Sequence, residues 1–576
     1  MTSDGSPWSP ATQAVSGTSP PAPAGTWESA QAGHDVRDPD EPQDTRFARG
    51  NRFLLHPLTL ICAVQTAGCL VLVRSNTAFI DEANYLRLGH LLIAHWLHGK
   101  SWPAGYAGRV LSGAPAIYPP IGAVADSAGG LVGARILSLI FMVAATILVY
   151  RTASRLLGRT EARIAAALWA LSEPVFRLAF ATYDPMSVFL IAVAAWLAVE
   201  AGYTRRRRIV MVCSAIALGL GVAVAYSGIV IAPVVIAFAF LSWWHRFEMR
   251  LARFWTVVMA ATAAIVFALI ITACASWPGI AFSIFDRKVN DYQTAPVILE
   301  SIATYTGLII ILALIGAVVA IRERDLRFRL LLILLGLTAL VVPAAQFYVH
   351  TSWAFEKHSA YGIWFASIAG AYGCMAMARW LRAAIKRRGV LLAAAMTAII
   401  VVAAANWRLA YSTFRGWPNA ASFVSSMKQF TPRSSGLIYA SAQKRVAEYY
   451  TPEGEQWWLW KVTAMSLDPP GLPRSRWYAY FVKHLRTVDI GMIALFYSGH
   501  HGIRLPAGTD VSAGAAARMT ARLGQLDPLK LSEPGVPVLT RVLSHNHEFR
   551  LVTVGPYDST KQNGIYAIWL KQPRPG

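Results

Sequence analysis

The sequence predicts a polytopic α-helical membrane protein, with about 11 transmembrane helices followed by a C-terminal extracytoplasmic α/β domain. Three observations predict this fold class. Of the 576 residues, 55% are hydrophobic and only 15% are charged, and the mean hydropathy is +0.42. Long charge-free runs recur before Trp407. After Trp407 the sequence has the mixed composition of a soluble domain that is long enough to bury its own core.

Five apolar runs each approach the roughly 20 residues that a helix needs to cross the hydrocarbon core. Two of three shorter runs are extendable by their apolar flanks. The third, Ile164–Phe180, is interrupted by Glu173 and Arg177, whose spacing lets them pair on one helix face. The five runs are Leu58–Val73, Ser301–Ile321, Leu330–Val349, Ser359–Ala378 and Gly389–Trp407, and the shorter ones are Ile136–Tyr150, Ile164–Phe180 and Pro185–Val199.

Two further runs are too long for one crossing. We expect Ile209–Trp244 to turn near Tyr226 and continue as a second helix. We expect Phe254–Phe285 to cross once and then to follow the outer surface beyond Pro278.

The basic residues predict the orientation, because cytoplasmic loops are enriched in Lys and Arg. The intervening loops are poor in basic residues, so they are placed on the outer face and the N-terminus is placed in the cytoplasm. Short basic loops attract anionic lipid head groups. The net charge of +22 therefore indicates membrane lipids, and not nucleic acid, as partners. The basic loops lie at 46–52, 151–163, 205–208, 246–253, 322–329 and 379–388.

The chain divides into three predicted regions. Residues 1–50 are rich in Pro, Ser and Gly, which is typical of a disordered tail, here cytoplasmic. Residues 51–407 form the transmembrane domain, whose long first exported loop, 74–130, contains an amphipathic surface helix at Tyr85–Leu97. Residues 408–576 form the exported domain, with strands at Gly436–Ala440, Phe549–Val554 and Gly564–Leu570 and a helix at Gln443–Tyr450.

The most informative residues are Asp81 and Glu82, adjacent carboxylates just beyond the first apolar run. Charged side chains at the end of a membrane helix are costly to bury and useful for proton or cation chemistry. They predict an enzyme, in which Asp81 and Glu82 are the catalytic candidates.

Three further motifs follow in order: Ile117-Tyr118-Pro119-Pro120, Gly133-Ala134-Arg135-Ile136-Leu137-Ser138-Leu139 and Tyr183-Asp184-Pro185. Together with Asp81-Glu82, they resemble the C-type membrane glycosyltransferases, the superfamily that includes protein O-mannosyltransferases and the bacterial lipid A aminoarabinose transferase. The similarity covers roughly residues 53–200 well, and the later helices and the exported domain match in layout.

The resemblance implies transfer of a sugar from a polyprenyl-phosphate donor to a glycan, lipid or protein acceptor on the outer face, with inversion at the anomeric carbon. It gives Asp81 the role of base or acceptor ligand. Near Glu356, the family often has an arginine that binds phosphate, whereas this sequence has Lys357 and His358.

Physical chemistry supports the same roles. A carboxylate that takes the proton of an acceptor hydroxyl accelerates transfer by about 10² to 10⁴. The leaving lipid phosphate needs cations, for which Lys357, His358 and Arg135 are the candidates. Glu82, Asp184 and the neighbouring Tyr183 are candidates for binding the acceptor or a divalent cation, Mg²⁺ or Mn²⁺, although the sequence identifies no set of metal ligands.

Each candidate also has a structural interpretation. Asp81 and Glu82 can be a solvated pair at a helix end, Asp184 a helix cap before Pro185, and Arg135, Lys357 and His358 anchors at the lipid interface. The alternative function is a transporter or lipid-sugar flippase. Transporters usually place ionisable residues near the midplane within repeated halves, whereas these carboxylates cluster at one face and the sequence has no repeat. Nothing in the sequence specifies the sugar.

Overall fold

The computed structural model describes residues 56–284, 293–384, 388–441, 444–451, 466–469, 471–499, 512–529, 534–559 and 563–572. The predicted tail, residues 1–50, lies outside the described residues.

Helices account for most of the described chain up to Phe414. The first group is α1 (Pro57–Val73), α2 (Ile80–His98), α3 (Ala104–Val110), α4 (Tyr118–Leu156), α5 (Arg159–Ala170), α6 (Glu173–Arg177), α7 (Asp184–Glu200) and α8 (Arg207–Val224). The second group is α9 (Ala232–Arg246), α10 (Met249–Ala273), α11 (Trp277–Ile284), α12 (Ala295–Ala320), α13 (Leu326–Leu337), α14 (Val341–Tyr348), α15 (Phe355–Ala384) and α16 (Arg388–Phe414).

Seven stretches of the described residues are long and apolar enough to cross a membrane, and α1 is a shorter apolar helix. The chain is therefore a multi-pass membrane protein, but the predicted count of helices is not confirmed. The seven stretches are Tyr118–Leu156, Arg207–Val224, Met249–Ala273, Ala295–Ala320, Leu326–Tyr348, Phe355–Arg382 and Ala393–Phe414.

The predicted segment Ile164–Phe180 is not one helix. It is divided into α5 and α6, and Pro174 lies in the first turn of α6. Proline has no backbone N–H to donate to the preceding turn, so the helix ends and a new one begins. The predicted turn near Tyr226 is confirmed as a 3₁₀ segment, Tyr226–Val230, between α8 and α9.

Basic residues of the described loops 151–163 and 322–329 lie at one end of the helix bundle. Arg155, at the end of α4, lies 3.1 Å from the Glu200 carboxylate at the end of α7. Arg327, at the start of α13, donates a hydrogen bond of 2.9 Å to the Trp244 carbonyl in α9. The loops that hold Asp81, Asp184 and Lys357 lie at the opposite end, which we call the polar end.

After α16 the described chain forms a four-stranded sheet with flanking helices. The strand order is β1-β2-β4-β3, in which β1 pairs with β2 in parallel and the other pairs are antiparallel. The elements are α17 (Ala421–Phe430), β1 (Leu437–Ala440), α18 (Lys444–Tyr450), α19 (Trp477–Thr487), β2 (Ile490–Ser498), α20 (Ala513–Leu523), α21 (Val536–Ser544), β3 (Phe549–Pro556) and β4 (Gly564–Lys571).

The sheet is buried on both faces. One face packs against α19, α20 and α21 through residues such as Leu495 and Trp569. The other packs against α17, α18 and the start of α2 through residues such as Met492, with Ala78 and Ala83 in the same apolar cluster. The sheet and the bundle belong to one compact unit, His56–Gly576, so the domain boundary at residue 408 stays a prediction.

Close packing fixes α2 against α4 near the polar end. A Cβ added at Gly89 would lie 2.0 Å from the Pro119 carbonyl oxygen, so only glycine fits there. Tyr118 and Pro119, in the first turn of α4, are fully buried beneath α2. This contact holds the motif Ile117–Pro120 beneath the helix that carries Asp81.

Candidate active site

Asp81 lies in the first turn of α2, where the helix dipole favours a negative charge. Its side chain is 28% exposed, and one carboxylate oxygen lies 3.6 Å from the Lys357 ammonium. Lys357 belongs to the first turn of α15, more than 270 positions further along the chain. The tertiary fold thus places a partly exposed carboxylate beside a cation at the polar end.

Asp184 completes this cluster from the first turn of α7. Its carboxylate is fully buried, 3.5 Å from the same Lys357 nitrogen and 3.8 Å from Nε2 of His358. The Thr182 hydroxyl donates a further hydrogen bond of 3.2 Å to it. The residue at the helix cap is Tyr183, without a side-chain cap bond, so Asp184 does not act as the cap of α7.

Glu82 faces away from this cluster, into the protein. Both of its carboxylate oxygens accept hydrogen bonds from Arg135, at 2.8 Å from Nε and 2.7 Å from Nη2. The backbone N–H groups of Phe79 and Ala181 donate two more, each 2.8 Å long. Glu82 and Arg135 are both 0% exposed.

Arg135 uses its remaining donors on the loop that leads to Asp81. It donates to the carbonyl oxygens of Val73, Asn76 and Thr77, at 2.9, 3.0 and 3.2 Å. All three guanidinium nitrogens are thus engaged, and the pair holds the loop that leads to Asp81. The phosphate contact of Arg135 and the catalytic role of Glu82 stay predictions.

Tyr183 contacts Tyr85 beside the cluster. Their hydroxyl groups are 2.9 Å apart and their ring centroids 4.5 Å apart. Burial raises the pKa of Tyr183 to about 12 and the pKa of Tyr85 well above its usual value. Both phenols are neutral near pH 7 and form a polar wall that can donate hydrogen bonds without adding charge.

Two arginines near the cluster were not predicted as site residues. The sequence spacing predicts that Arg177 pairs with Glu173, but its Nη2 lies 2.9 Å from Glu356, directly before Lys357. Arg445, from α18 of the C-terminal sheet region, interacts electrostatically with Tyr106, Asp81 and Tyr85. No periodicity signals either contact, because each joins segments that are distant in sequence.

The cluster is a poor match for a divalent metal. Asp81 and Asp184 are the carboxylates present, and the Lys357 ammonium lies between them. Within the described ranges, no group of three or more His, Cys, Asp or Glu residues is arranged to hold a metal ion. The Lys357 ammonium thus occupies a position where a cation bound by both carboxylates would lie.

The comparisons with known proteins agree with this architecture. Residues 126–272, from α4 to α10, match the family model described as dolichyl-phosphate-mannose-protein mannosyltransferase. No curated protein matches the chain.

Several solved structures align with this chain. The archaeal oligosaccharyltransferase AglB from Archaeoglobus fulgidus, in complex with an inhibitory peptide and a dolichol-phosphate, aligns with a TM-score of 0.53 and 12% identity, over 89% of this chain and 80% of that chain. The oligosaccharyltransferase of the same organism in complex with Zn and sulfate aligns with a TM-score of 0.50 and 13% identity, over 76% of this chain and 67% of that chain. ArnT from Cupriavidus metallidurans bound to undecaprenyl phosphate aligns with a TM-score of 0.45 and 14% identity, over 68% of this chain and 84% of that chain.

The chain has the fold of the C-type membrane glycosyltransferases, and the resemblance seen in its motifs is confirmed. Within that class it is similar to an archaeal oligosaccharyltransferase in overall fold and to the mannosyltransferase family over residues 126–272. Asp81, Lys357 and His358 lie outside the segment that matches the family model.

Proposed function

We propose that this protein is an inverting glycosyltransferase that moves a sugar from a polyprenyl-phosphate donor to an acceptor on the outer face of the cell membrane. The observation that carries the proposal is the Lys357 ammonium lying 3.6 Å from Asp81 and 3.5 Å from Asp184 at the polar end of a membrane bundle. AglB, which has the same fold, was solved with a dolichol-phosphate and an inhibitory peptide, and this supports a lipid-phosphate donor.

In the proposed reaction, Asp81 accepts the proton of an acceptor hydroxyl. The hydroxyl oxygen attacks the anomeric carbon on the face opposite the phosphate, so the new glycosidic bond has the inverted configuration. The bond from the anomeric carbon to the phosphate oxygen breaks, and its electron pair stays on the lipid phosphate. Partial exposure suits Asp81 to this role, because the acceptor reaches its carboxylate from solvent.

The departing phosphate gains negative charge, which nearby cations stabilise. Lys357 and His358 are the proposed phosphate ligands, and buried Asp184 positions both of them. Tyr183 and Tyr85 form the neighbouring wall of the acceptor side. Glu82 and Arg135 support the loop before Asp81 and do not touch substrate.

The alternative, a transporter or flippase, has less support. Asp81, Asp184 and Lys357 lie at helix starts at one end of the bundle, and not on broken helices at its middle.

The test is to incubate the purified protein in vesicles with labelled polyprenyl-phosphate sugars and an acceptor mixture from the cell envelope. We expect label on the acceptor and release of polyprenyl phosphate, whereas a transporter would move the intact lipid sugar and leave its glycosidic bond unbroken. D81N should lose transfer by about 10² or more. The control, Glu300→Gln, changes an exposed acid of α12 and should be fully active.

The same assay tests the expected divalent cation. Full activity in EDTA agrees with Lys357 as the cation of the site. Loss of activity that Mg²⁺ or Mn²⁺ restores would assign a metal to the reaction.

A further inference from the structure

A cluster of arginines and aromatic side chains lies at the end of the helix bundle opposite the polar end. Arg155, near the end of α4, and Arg246, the last residue of α9, lie over the ring of Tyr203, with 4.7 and 4.3 Å between each guanidinium carbon and the ring centroid. Arg207, the first residue of α8, lies 5.4 Å from the ring centroid of Phe247. The two short loops before α8 and after α9 thus hold three guanidinium groups from three helices.

Tyr203 fixes the two arginines that share its ring. Its hydroxyl donates a hydrogen bond of 2.9 Å to the Arg155 carbonyl oxygen and accepts one from Nη2 of Arg246. A Cβ added at Gly202 would lie 3.0 Å from Cγ of Arg246, so the stem of this arginine packs against the loop backbone. An arginine that is held at its stem and at its guanidinium loses less rotamer freedom when a ligand binds, which lowers the entropic cost of binding.

The cluster contains positive charge that the protein does not neutralise. Arg155 is paired with Glu200, whose carboxylate oxygens lie 3.3 and 3.1 Å from its Nε and Nη2. Within the part of the chain that the structure describes, neither Arg207 nor Arg246 forms an ion pair with a carboxylate. The side chains of Arg207 and Arg246 are both exposed, so a ligand reaches them from outside the bundle.

The surrounding residues are also basic. Together with Arg155, residues 200–208 and 246–248 contain six arginines and two glutamates, an excess of four positive charges. A guanidinium that stacks its face on a ring keeps its N–H donors at its edge, where they form a fork that matches two phosphate oxygens. The cluster therefore favours a ligand that contains a phosphate.

The depth of the cluster indicates a lipid ligand. Arg207 begins α8, a helix that is long and apolar enough to cross a membrane. Ile209, Val212 and Ile216 follow on the same helix, are exposed, and share one helix face by their spacing. Arginines at the end of a membrane helix lie at the level of the lipid head groups, and the exposed apolar residues beyond them lie beside acyl chains. A ligand that contacts both has a phosphate and acyl chains, which favours a phospholipid over a soluble phosphate.

We infer that Arg207 and Arg246 form a binding site for the phosphate of an anionic phospholipid, in the leaflet opposite the candidate active site. The site is separate from the sugar donor and does not depend on the proposed function. Arg155, which Glu200 neutralises, and Tyr203 position Arg246. Because Arg207 belongs to α8 and Arg246 to α9, one bound phosphate links the two helices, so the lipid stabilises the folded bundle.

The experiment titrates labelled phosphatidylglycerol, an anionic phospholipid, against the purified full-length protein in neutral detergent. We expect R207A and R246A each to weaken binding about tenfold, because hydrogen bonds to a charged phosphate are lost. R246K keeps the charge and loses the fork, so its affinity should lie between those of R246A and the wild type. The matched control is Arg324→Ala, which removes an exposed arginine between α12 and α13 at the same end of the bundle and should bind the lipid like the wild type.

A second measurement separates lipid binding from a folding defect in R246A. Saturating phosphatidylglycerol should raise the Tm of the wild type and of R324A, and it should raise the Tm of R207A and R246A much less. Wild-type affinity in both R207A and R246A, or a loss in R324A as large as in R207A, would overturn the site. Equal binding of zwitterionic phosphatidylcholine, or displacement of the lipid by an excess of inorganic phosphate, would overturn the anionic phospholipid as its ligand.

Discussion

Replacing Arg135 by alanine separates the two roles that the sequence and the structure give to this residue. In the structure, Arg135 donates five hydrogen bonds, two to Glu82 and three to backbone carbonyl groups of the loop before Asp81. R135A leaves the Glu82 carboxylate without its cation in a site that is 0% exposed. It also removes the donors that hold the loop.

The expected cost is large. Removing one partner of a buried ion pair typically destabilises a protein by about 3–5 kcal/mol, since the remaining charge is buried and uncompensated. The free energies of five separate charge-assisted hydrogen bonds would sum to more than this. Because hydrogen bonds made by one side chain are not additive, the expected loss of stability is the one given for the ion pair. The conservative change R135K keeps the positive charge but lacks the forked N–H donors of a guanidinium, so it should recover part of the lost stability.

The assay is thermal unfolding of the purified protein in detergent, followed by sugar transfer at a temperature where the variant is folded. Arg109→Ala is the control, because this arginine is exposed and donates a hydrogen bond to the Gly105 carbonyl of its own short helix, so a change within about 0.5 kcal/mol is expected. R135A with wild-type stability and a specific loss of donor binding would refute the structural role and restore the phosphate contact.

Two further predictions concern α18 and the membrane orientation. Burial raises the pKa of Glu448 above its usual 4.5 despite the nearby Arg87 and Lys444, so the folded protein holds this proton more tightly than the unfolded chain. The stability that Glu448 contributes is fully present below about pH 4.5 and declines as the pH rises through its raised pKa. The Tm of the wild type should therefore fall relative to the Tm of E448Q between pH 4 and 7. Parallel Tm curves for the two proteins would contradict this. In a cysteine-free background, S75C should react with an impermeant maleimide in intact cells and T204C only after permeabilisation; the reverse labelling would place Asp81 in the cytoplasm.

Local sequence patterns predicted the elements of this protein well. The apolar runs around Leu330 and Ser359 are long enough that burial in lipid dictates a helix. The segments around Ile438 and Ile565 have alternating or continuous apolar residues between turn residues, a pattern that is typical of strands in a sheet. The central strand β2 was missed, although its run from Ile490 to Tyr497 is continuously apolar apart from Gly491, because short apolar runs do not distinguish strand from helix.

The site was predicted in part. The polar end holds Asp81, Asp184 and Lys357, each of which lies in the first turn of a helix. The alternation of basic and basic-poor loops predicts that these helix starts lie on one face. The pairing of Glu82 with Arg135 depends on how α2 and α4 pack, and no spacing within either helix reveals it. The approach of Arg445 depends on the docking of a sheet region more than 350 residues away from Asp81 in the sequence.

The most direct measurement is the stoichiometry of polyprenyl phosphate released per sugar transferred by the purified wild-type protein and by D81N. The account predicts one phosphate released for each glycosidic bond formed by the wild type, and loss of both products in a folded D81N protein. Near-normal release and transfer by D81N would contradict Asp81 as the base. Passage of the intact lipid sugar across the vesicle membrane without release of phosphate would contradict the enzymatic function itself.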